Sequence, residues 1–439
     1  MLLPQLQRRQ IIVLLIAAIS LILITFSHIN QTLPDVPFLP KWDQSLPTVR
    51  AGRTVLYESA VHDEVTGALA HSLSQLNVTM TFATRFRFKF DQVLRDIIPY
   101  EPEIVYQKHP EQVREWLQKD EIDHLVLTTC TDGLNHFHDD ILKSTATVVC
   151  VVHHGGASFA RNLKDKLQAL VERDQIRLVV LGHHVHQTIK DELQYWADTE
   201  DNEFWERVKL ETFIPGFVYP PDKEFKHVAP FPHKAVIQGN IEQGRRDYKK
   251  IFRSLNNSVH ADPGLWGYKM GDNGVFEGDS EKPFELHLVG QLNPKSPVEI
   301  PESLRNIITI DEKLSYPDYY RLIADADILI PAFASRGTLY DTASSTIAAA
   351  IITRTPVLVS ERHTASYTYI KGPAAIFRRV SEGAIPALER LRRNGDPRSP
   401  PDKLGLEWDE YESNIQRQNA EMWVRVLKDQ NHRELWGNW

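Results

Sequence analysis

The sequence predicts an α/β protein: two doubly wound parallel-sheet domains facing a cleft, behind an N-terminal transmembrane helix. Three observations predict it. Short apolar runs rich in β-branched residues alternate with helical spacings from about residue 53 onward. That alternation stops in a proline-rich stretch and then restarts. One uncharged apolar segment lies near the N-terminus. Continuous apolar strands separated by amphipathic helices belong in parallel sheets covered on both faces.

Composition bounds the function. The 439 residues allow two or three domains, at about 100–200 residues each. Fifty Lys and Arg against 58 Asp and Glu leave a net charge of −8, which argues against a nucleic-acid partner, since that needs a basic footprint. Glycine and proline contents are ordinary, so the chain is neither collagenous nor globally disordered. The two cysteines, Cys130 and Cys150, lack zinc-ligand spacing and are too few for a disulfide framework. Both fall in runs that read as strands, and a pair or two buried thiols are equally compatible with that.

The apolar segment is IIVLLIAAISLILITF, residues 11–26. At 1.5 Å per residue it spans about 24 Å, short of a full bilayer core but tolerable in a thin membrane. Arg8 and Arg9 precede it and no Lys or Arg follows before Lys41. The positive-inside rule therefore gives a cytoplasmic tail at 1–10, a signal anchor at 11–27 and a translocated body. A cleaved signal peptide is the alternative, but SHINQTLPDVP lacks an Ala-x-Ala site. Translocation would expose the glycosylation sequons at Asn30, Asn77 and Asn256. Residues 28–51 are proline-rich and aperiodic, and read as a stem.

In the first domain, residues 52–228, strands are predicted at VLYESA (55–60), TMTFAT (79–84), EIVYQ (103–107), HLVLTTC (124–130), TVVCVV (147–152) and RLVVLG (177–182). Helices are predicted at 65–76, 110–119, 157–172 and 186–196. The stretch 213–234 contains five prolines and reads as a linker. In the second domain, residues 229–398, strands are predicted at KAVIQG (234–239), FELHLVG (284–290), ILIPAF (328–333) and PVLVS (356–360), with helices at 247–255, 316–324 and 345–353. The Gly- and Asp-rich stretch 256–283 reads as a surface loop. Residues 399–439 form a terminal segment, in which Trp408, Tyr411, Ile415, Met422 and Val426 mark one helical face.

In open parallel sheets ligands bind beyond the carboxyl ends of the strands. After KAVIQG come Gly239, Asn240, Gly244, Arg245 and Arg246. Glycines there admit a close backbone approach, and two arginines at a helix start suit a diphosphate. After ILIPAF, the hydroxyls of Ser344, Ser345 and Thr346 sit at a second helix start, where unpaired N–H groups attract anions. A simple N-cap would need one hydroxyl, not three.

The stretch DADILIPAF…YDTASSTIAAAIITRTPVLVS (325–360), together with QGNIEQGRRDYKKIF (238–252), resembles the donor-sugar segments of GT-B-fold glycosyltransferases of the glycogen-synthase-like type. The resemblance covers roughly residues 53–430 and implies two Rossmann-like domains, with acceptor bound by the first and nucleotide sugar by the second. In such enzymes Arg245 or Arg246 would hold the diphosphate, Thr346 would meet phosphate, and Asp341 would stand where a ribose or sugar ligand falls. The chain departs from the family at three places: Ala349 replaces the ribose glutamate, Asp341 the earlier glutamate, and Arg354 the glycine two before Pro356.

Acid–base candidates follow strands of the first domain. His62 stands beside Asp63 and Glu64, and His154 follows His153 before two glycines. His183, His184 and His186 suggest a metal by spacing, but no carboxylate or cysteine completes a site. Asp325 and Asp327 precede a strand rather than follow it, so they read as a helix-to-strand turn and not a metal motif. The expectation is a metal-independent glycosyltransferase of the ER or Golgi membrane, moving sugar from a nucleotide sugar to a glycan, glycoprotein or lipid acceptor. An epimerase on the same fold, or an inactive tethered scaffold, are the alternatives.

Overall fold

The computed structural model describes residues 52–59, 62–106, 109–200, 203–221, 231–334, 339–396, 398 and 401–428. The predicted anchor at 11–27, the stem and Asn30 lie outside them. Among the described residues no helix is long and apolar enough to cross a membrane.

The N-terminal half runs β1 (Thr54–Glu58), α1 (Asp63–Ser74), β2 (Met80–Thr84), α2 (Phe90–Ile97), β3 (Glu103–Val105), α3 (His109–Gln118), β4 (His124–Leu127), α4 (Cys130–Ile141), β5 (Thr147–Val152), α5 (Gly156–Glu172), β6 (Ile176–Val180), α6 (His183–Glu200) and β7 (Leu210–Thr212). Its sheet has the order β3-β2-β1-β4-β5-β6-β7, and every pairing is parallel. β1, β2, β4, β5 and β6 are buried along their whole length because helices cover both faces, which is why they read as unbroken apolar runs.

The second half runs β8 (Lys234–Gln238), α7 (Tyr248–Ala261), α8 (Pro263–Trp266), β9 (Tyr268–Met270), β10 (Phe276–Gly278), β11 (Glu285–Gly290), β12 (Ile308–Glu312), α9 (Tyr316–Ala324), β13 (Ile328–Leu329), α10 (Ser345–Ile352), β14 (Val357–Val359), α11 (Glu361–Ser366), β15 (Ala375–Phe377), α12 (Ala384–Asn394) and α13 (Pro401–Lys428). Its parallel sheet has the order β12-β11-β8-β13-β14-β15. Both sheets reverse direction beside their first strand, so each presents a crevice at its carboxyl edge.

Four expectations change. Residue Cys130 opens α4 instead of ending a strand, and it is disulfide-bonded to Cys150 on β5 with Cα atoms 4.7 Å apart. The stretch 256–283 is not a loop: α7 continues to Ala261, and α8 and an antiparallel β9–β10 hairpin follow. Trp266 and Phe276 are fully buried there, so two aromatic anchors outweigh the Gly and Asp content. The strand expected over 328–333 is confined to Ile328–Leu329, because Pro331 has no N–H and Ala332 turns left-handed at φ 51°. The proline-rich stretch begins as packed chain, with Phe213, Ile214, Phe217 and Tyr219 buried.

Helix α13 ties the halves together. Its predicted apolar face is buried. Asn419 both donates to Ile214 O at 2.9 Å and accepts from Ile214 N at 3.0 Å. Arg425 reaches Glu211 of β7 at 2.8 Å. On the other half, Arg354 donates to Glu412 at 2.7 Å and to Asp409 at 2.8 Å.

Candidate active site

The carboxyl edges of the two sheets face one cleft of about 1000 Å³. Gly239, Asn240, Gly244, Arg245 and Arg246 line one wall, and Ser344 and Ser345 stand at the start of α10. His62, Asp63, Glu64, His153 and His154 line the opposite wall, at the ends of β1 and β5. The chain thus gathers into one cavity Gly239, Asn240, Gly244, Arg245, Arg246, Ser344, Ser345, His62 and His154 of the residues that the strand-end argument selects.

Arg246 is a buried charge on the cavity wall. It is 8% exposed, and among the described residues it has no acidic partner. Its Nη2 donates to Gln238 O at 3.0 Å and to Thr346 Oγ1 at 3.2 Å. Its Nε is buried with no acceptor. Burial pulls its pKa below the ordinary arginine value. The guanidinium lies 5.6 Å from the Phe333 ring centroid. Gly239, at φ 121°, makes room for it: a Cβ there would lie 2.6 Å from Nη2. Arg245 is more exposed and pairs with Glu242 at 3.4 Å.

Two expected phosphate and sugar ligands sit elsewhere. Thr346 is fully buried. Its hydroxyl donates to Gln238 Oε1 at 2.7 Å, so it props Arg246 from behind rather than facing the cavity. Asp341 belongs to a strap across the halves: its carbonyl accepts from Gly155 N at 2.7 Å, and its carboxylate accepts from Thr342 Oγ1 at 2.9 Å. Thr342 in turn accepts from His154 Nδ1 at 3.2 Å, which ties that histidine to the strap. His184 grips the same strap through Thr342 O at 3.1 Å, while His186 bonds Thr212 Oγ1 at 2.9 Å.

His62 has the geometry of a general base. Its Nδ1 lies 3.7 Å from Glu64 Oε1, and its ring lies against His153 with centroids 3.9 Å apart and planes tilted by 31°. Burial lowers its pKa, but the nearby carboxylate of Glu64, with the charges of Glu58 and Asp63 behind it, outweighs burial and leaves a net upward shift. His153 cannot share that role. Its Nε2 donates to Thr128 O at 2.6 Å, and burial holds its pKa well below the usual range. Asp63 is 3% exposed; burial, then the charge of Glu64, pushes it up to about 7.

Sequence reasoning missed the aromatic floor of Tyr316, Tyr319 and Tyr320, and also Arg87, Phe88, Lys313 and Gln238. The tyrosines register in the sequence only as helical spacing. Asp325 caps the end of α9, and Asp327 accepts from the backbone N–H of His233 and Lys234 at 2.6 and 2.9 Å, as a turn residue would. Among the described residues no group of three His, Cys, Asp or Glu is arranged to hold a metal ion. Of the sequons, Asn77 is exposed, whereas Asn256 lies within α7 and accepts from Ser303 at 2.6 Å.

No family model matches the chain, and no curated protein matches it. Solved structures do. The pneumococcal O-GlcNAc transferase GtfA, solved with UDP and GlcNAc, is 11% identical over 72% of this chain and 59% of its own, with a TM-score of 0.44. This chain therefore spans about three fifths of GtfA. The UDP-forming trehalose-phosphate synthase of Burkholderia vietnamiensis is 9% identical over 86% and 100%, with a TM-score of 0.45. T4 phage BGT with its UDP-glucose substrate is 9% identical over 86% and 99%, with a TM-score of 0.43. Likeness at this level assigns neither activity nor substrate.

Proposed function

We propose that the chain is a glycosyltransferase that moves sugar from a nucleotide-sugar donor to an acceptor hydroxyl. The observation that carries the proposal is Arg246: a buried guanidinium with an unpartnered Nε and no acidic partner among the described residues, beside the start of α10 and across the cleft from His62 and Glu64. A buried cation without a counter-charge is costly, and a bound diphosphate supplies the missing charge.

In this reading Arg246 and Arg245, with the hydroxyls and N–H groups at Ser344 and Ser345, stabilise the charge that develops on the leaving diphosphate. The acceptor oxygen bonds to the anomeric carbon as the bond from that carbon to the diphosphate oxygen breaks. The electron pair leaves with the diphosphate, and the acceptor proton passes to His62 Nε2, with Glu64 orienting the ring. His154 serves the strap. Thr346 and Gln238 position Arg246.

The Cys130–Cys150 disulfide supports an oxidising compartment. With the apolar segment at 11–26 it favours a membrane-anchored protein whose body lies in the ER or Golgi lumen. The test is donor turnover by the full chain against a nucleotide-sugar panel, with and without acceptor hydroxyls. Acceptor-dependent release of nucleoside diphosphate, lost in His62→Ala, supports the reading. Acceptor-independent inversion of the free donor would instead make it an epimerase.

A further inference from the structure

Residues 84–90 read Thr-Arg-Phe-Arg-Phe-Lys-Phe, a stretch used neither by the donor wall nor by His62 and Glu64. It forms the connection from β2 into α2 at the carboxyl edge of the first sheet. Its aromatic residues hold it down: Phe90 is fully buried, and the Phe86 ring lies 5.5 Å from it. Its cations stand out. Arg85, Arg87 and Lys89 are all exposed, and among the described residues none makes an ion pair. Three exposed cations within five residues locally reverse the sign of a chain whose net charge is −8.

The loop is fixed against the cleft from both sides. Phe88 and Lys89 adopt left-handed backbone angles, φ 47° and 59°, which non-glycine residues hold only when their surroundings impose it. Here the constraints are Tyr316 N donating to Phe88 O at 2.7 Å from the other half and Arg87 N donating to Asp63 Oδ2 at 3.4 Å. Arg87 and the half-exposed Phe88 therefore line the cavity beside His62, with Tyr316 next to them. Asp63 and Glu64 lie deeper, so an anionic group is repelled from the floor and drawn to the rim.

We propose that the acceptor is an anionic glycan. Its carboxylate, sulfate or phosphate pairs with Arg85, Arg87 and Lys89, and a sugar ring lies on Phe88 and Tyr316, which leaves a hydroxyl facing His62. This inference rests on the transferase reading. Binding of hexagalacturonate, chondroitin sulfate hexasaccharide, a phosphorylated mannan hexasaccharide and neutral maltohexaose to the full chain in detergent tests it, with UDP binding measured in parallel. At least one anionic ligand should bind tenfold or more tightly than maltohexaose at 150 mM NaCl. That margin should collapse at 500 mM NaCl and in the R85Q/R87Q/K89Q variant, whose retained UDP-induced thermal shift shows that it is folded. Equal binding of all four ligands, or a preference that survives the triple variant, overturns the proposal. UDP binding without anionic preference overturns the acceptor class but leaves the transferase reading. Anionic preference without binding of any nucleotide supports the loop as the anion site and removes the transferase reading.

Discussion

Replacing Arg246 with methionine separates a structural arginine from one kept for a ligand, because the two readings predict opposite signs. Without ligand, the guanidinium is 8% exposed, its Nε has no acceptor, and it has no acidic partner among the described residues. Methionine keeps the length and removes the desolvation cost. The unliganded variant is expected to match the parent or gain up to about 2 kcal/mol in urea unfolding. With nucleotide the sign reverses. Two charge-assisted hydrogen bonds to the diphosphate contribute about 1.5 kcal/mol or more each, so their loss weakens binding by roughly 100-fold or more. At a UDP concentration about 100 times the parent Kd, ligand stabilisation falls from about 2.7 to about 0.4 kcal/mol. The assay is paired denaturation with and without UDP. A variant that loses several kcal/mol unliganded while keeping the full UDP gain would refute the reasoning.

Three further predictions follow from the charges. His62 must be neutral to accept a proton, so kcat/KM should rise with pH along an acid limb set above the ordinary histidine value of 6.5; Glu64→Gln removes the group holding that pKa up, and the limb should move to lower pH. An unmoved limb would exclude the pair. Asp63 binds its proton more tightly folded than unfolded, so its contribution to stability is full below about pH 4 and is lost as pH rises through about 7. The gap between 3.8 and about 7 corresponds to about 4 kcal/mol at most, and Asp63→Asn should flatten the stability profile across that window. Arg354→Ala should cost about 2 kcal/mol by breaking the clamp on Glu412 and Asp409. Arg354→Gly should recover about 1 kcal/mol of that, since position 354 is left-handed at φ 53°; equal losses in the two variants would place the cost outside the backbone.

That last position shows what the sequence carries and what it hides. The resemblance drawn from the sequence expects a glycine two residues before Pro356. Here the backbone keeps the left-handed turn, and the arginine side chain serves as a clamp on α13 at 2.7 Å from Glu412. That Gly239, Gly244, Arg245 and Arg246 line a cleft is legible because the signals are local: a strand, two glycines and two arginines before a helix. Thr346 was legible as a helix start but not as a buried prop, because its partner Gln238 lies 108 residues away. The place of Asp341 in the strap is hidden for the same reason: its Gly155 contact crosses between the halves. The turn at Cys130 reads as strand because HLVLTTC continues past the end of β4, although the helix it opens buries Leu134, Phe137 and Ile141 on one face. The cationic loop between β2 and α2 alternates like a strand, and only its left-handed turn at Phe88 and Lys89 sets it at the cleft.

The most direct measurement is a crystal structure of the chain with UDP or another nucleoside diphosphate that it binds. A phosphate oxygen is expected within hydrogen-bond distance of Arg246 Nε, beside Ser344 and Ser345. A diphosphate bound elsewhere in the protein, with Arg246 Nε still without an acceptor, would contradict it.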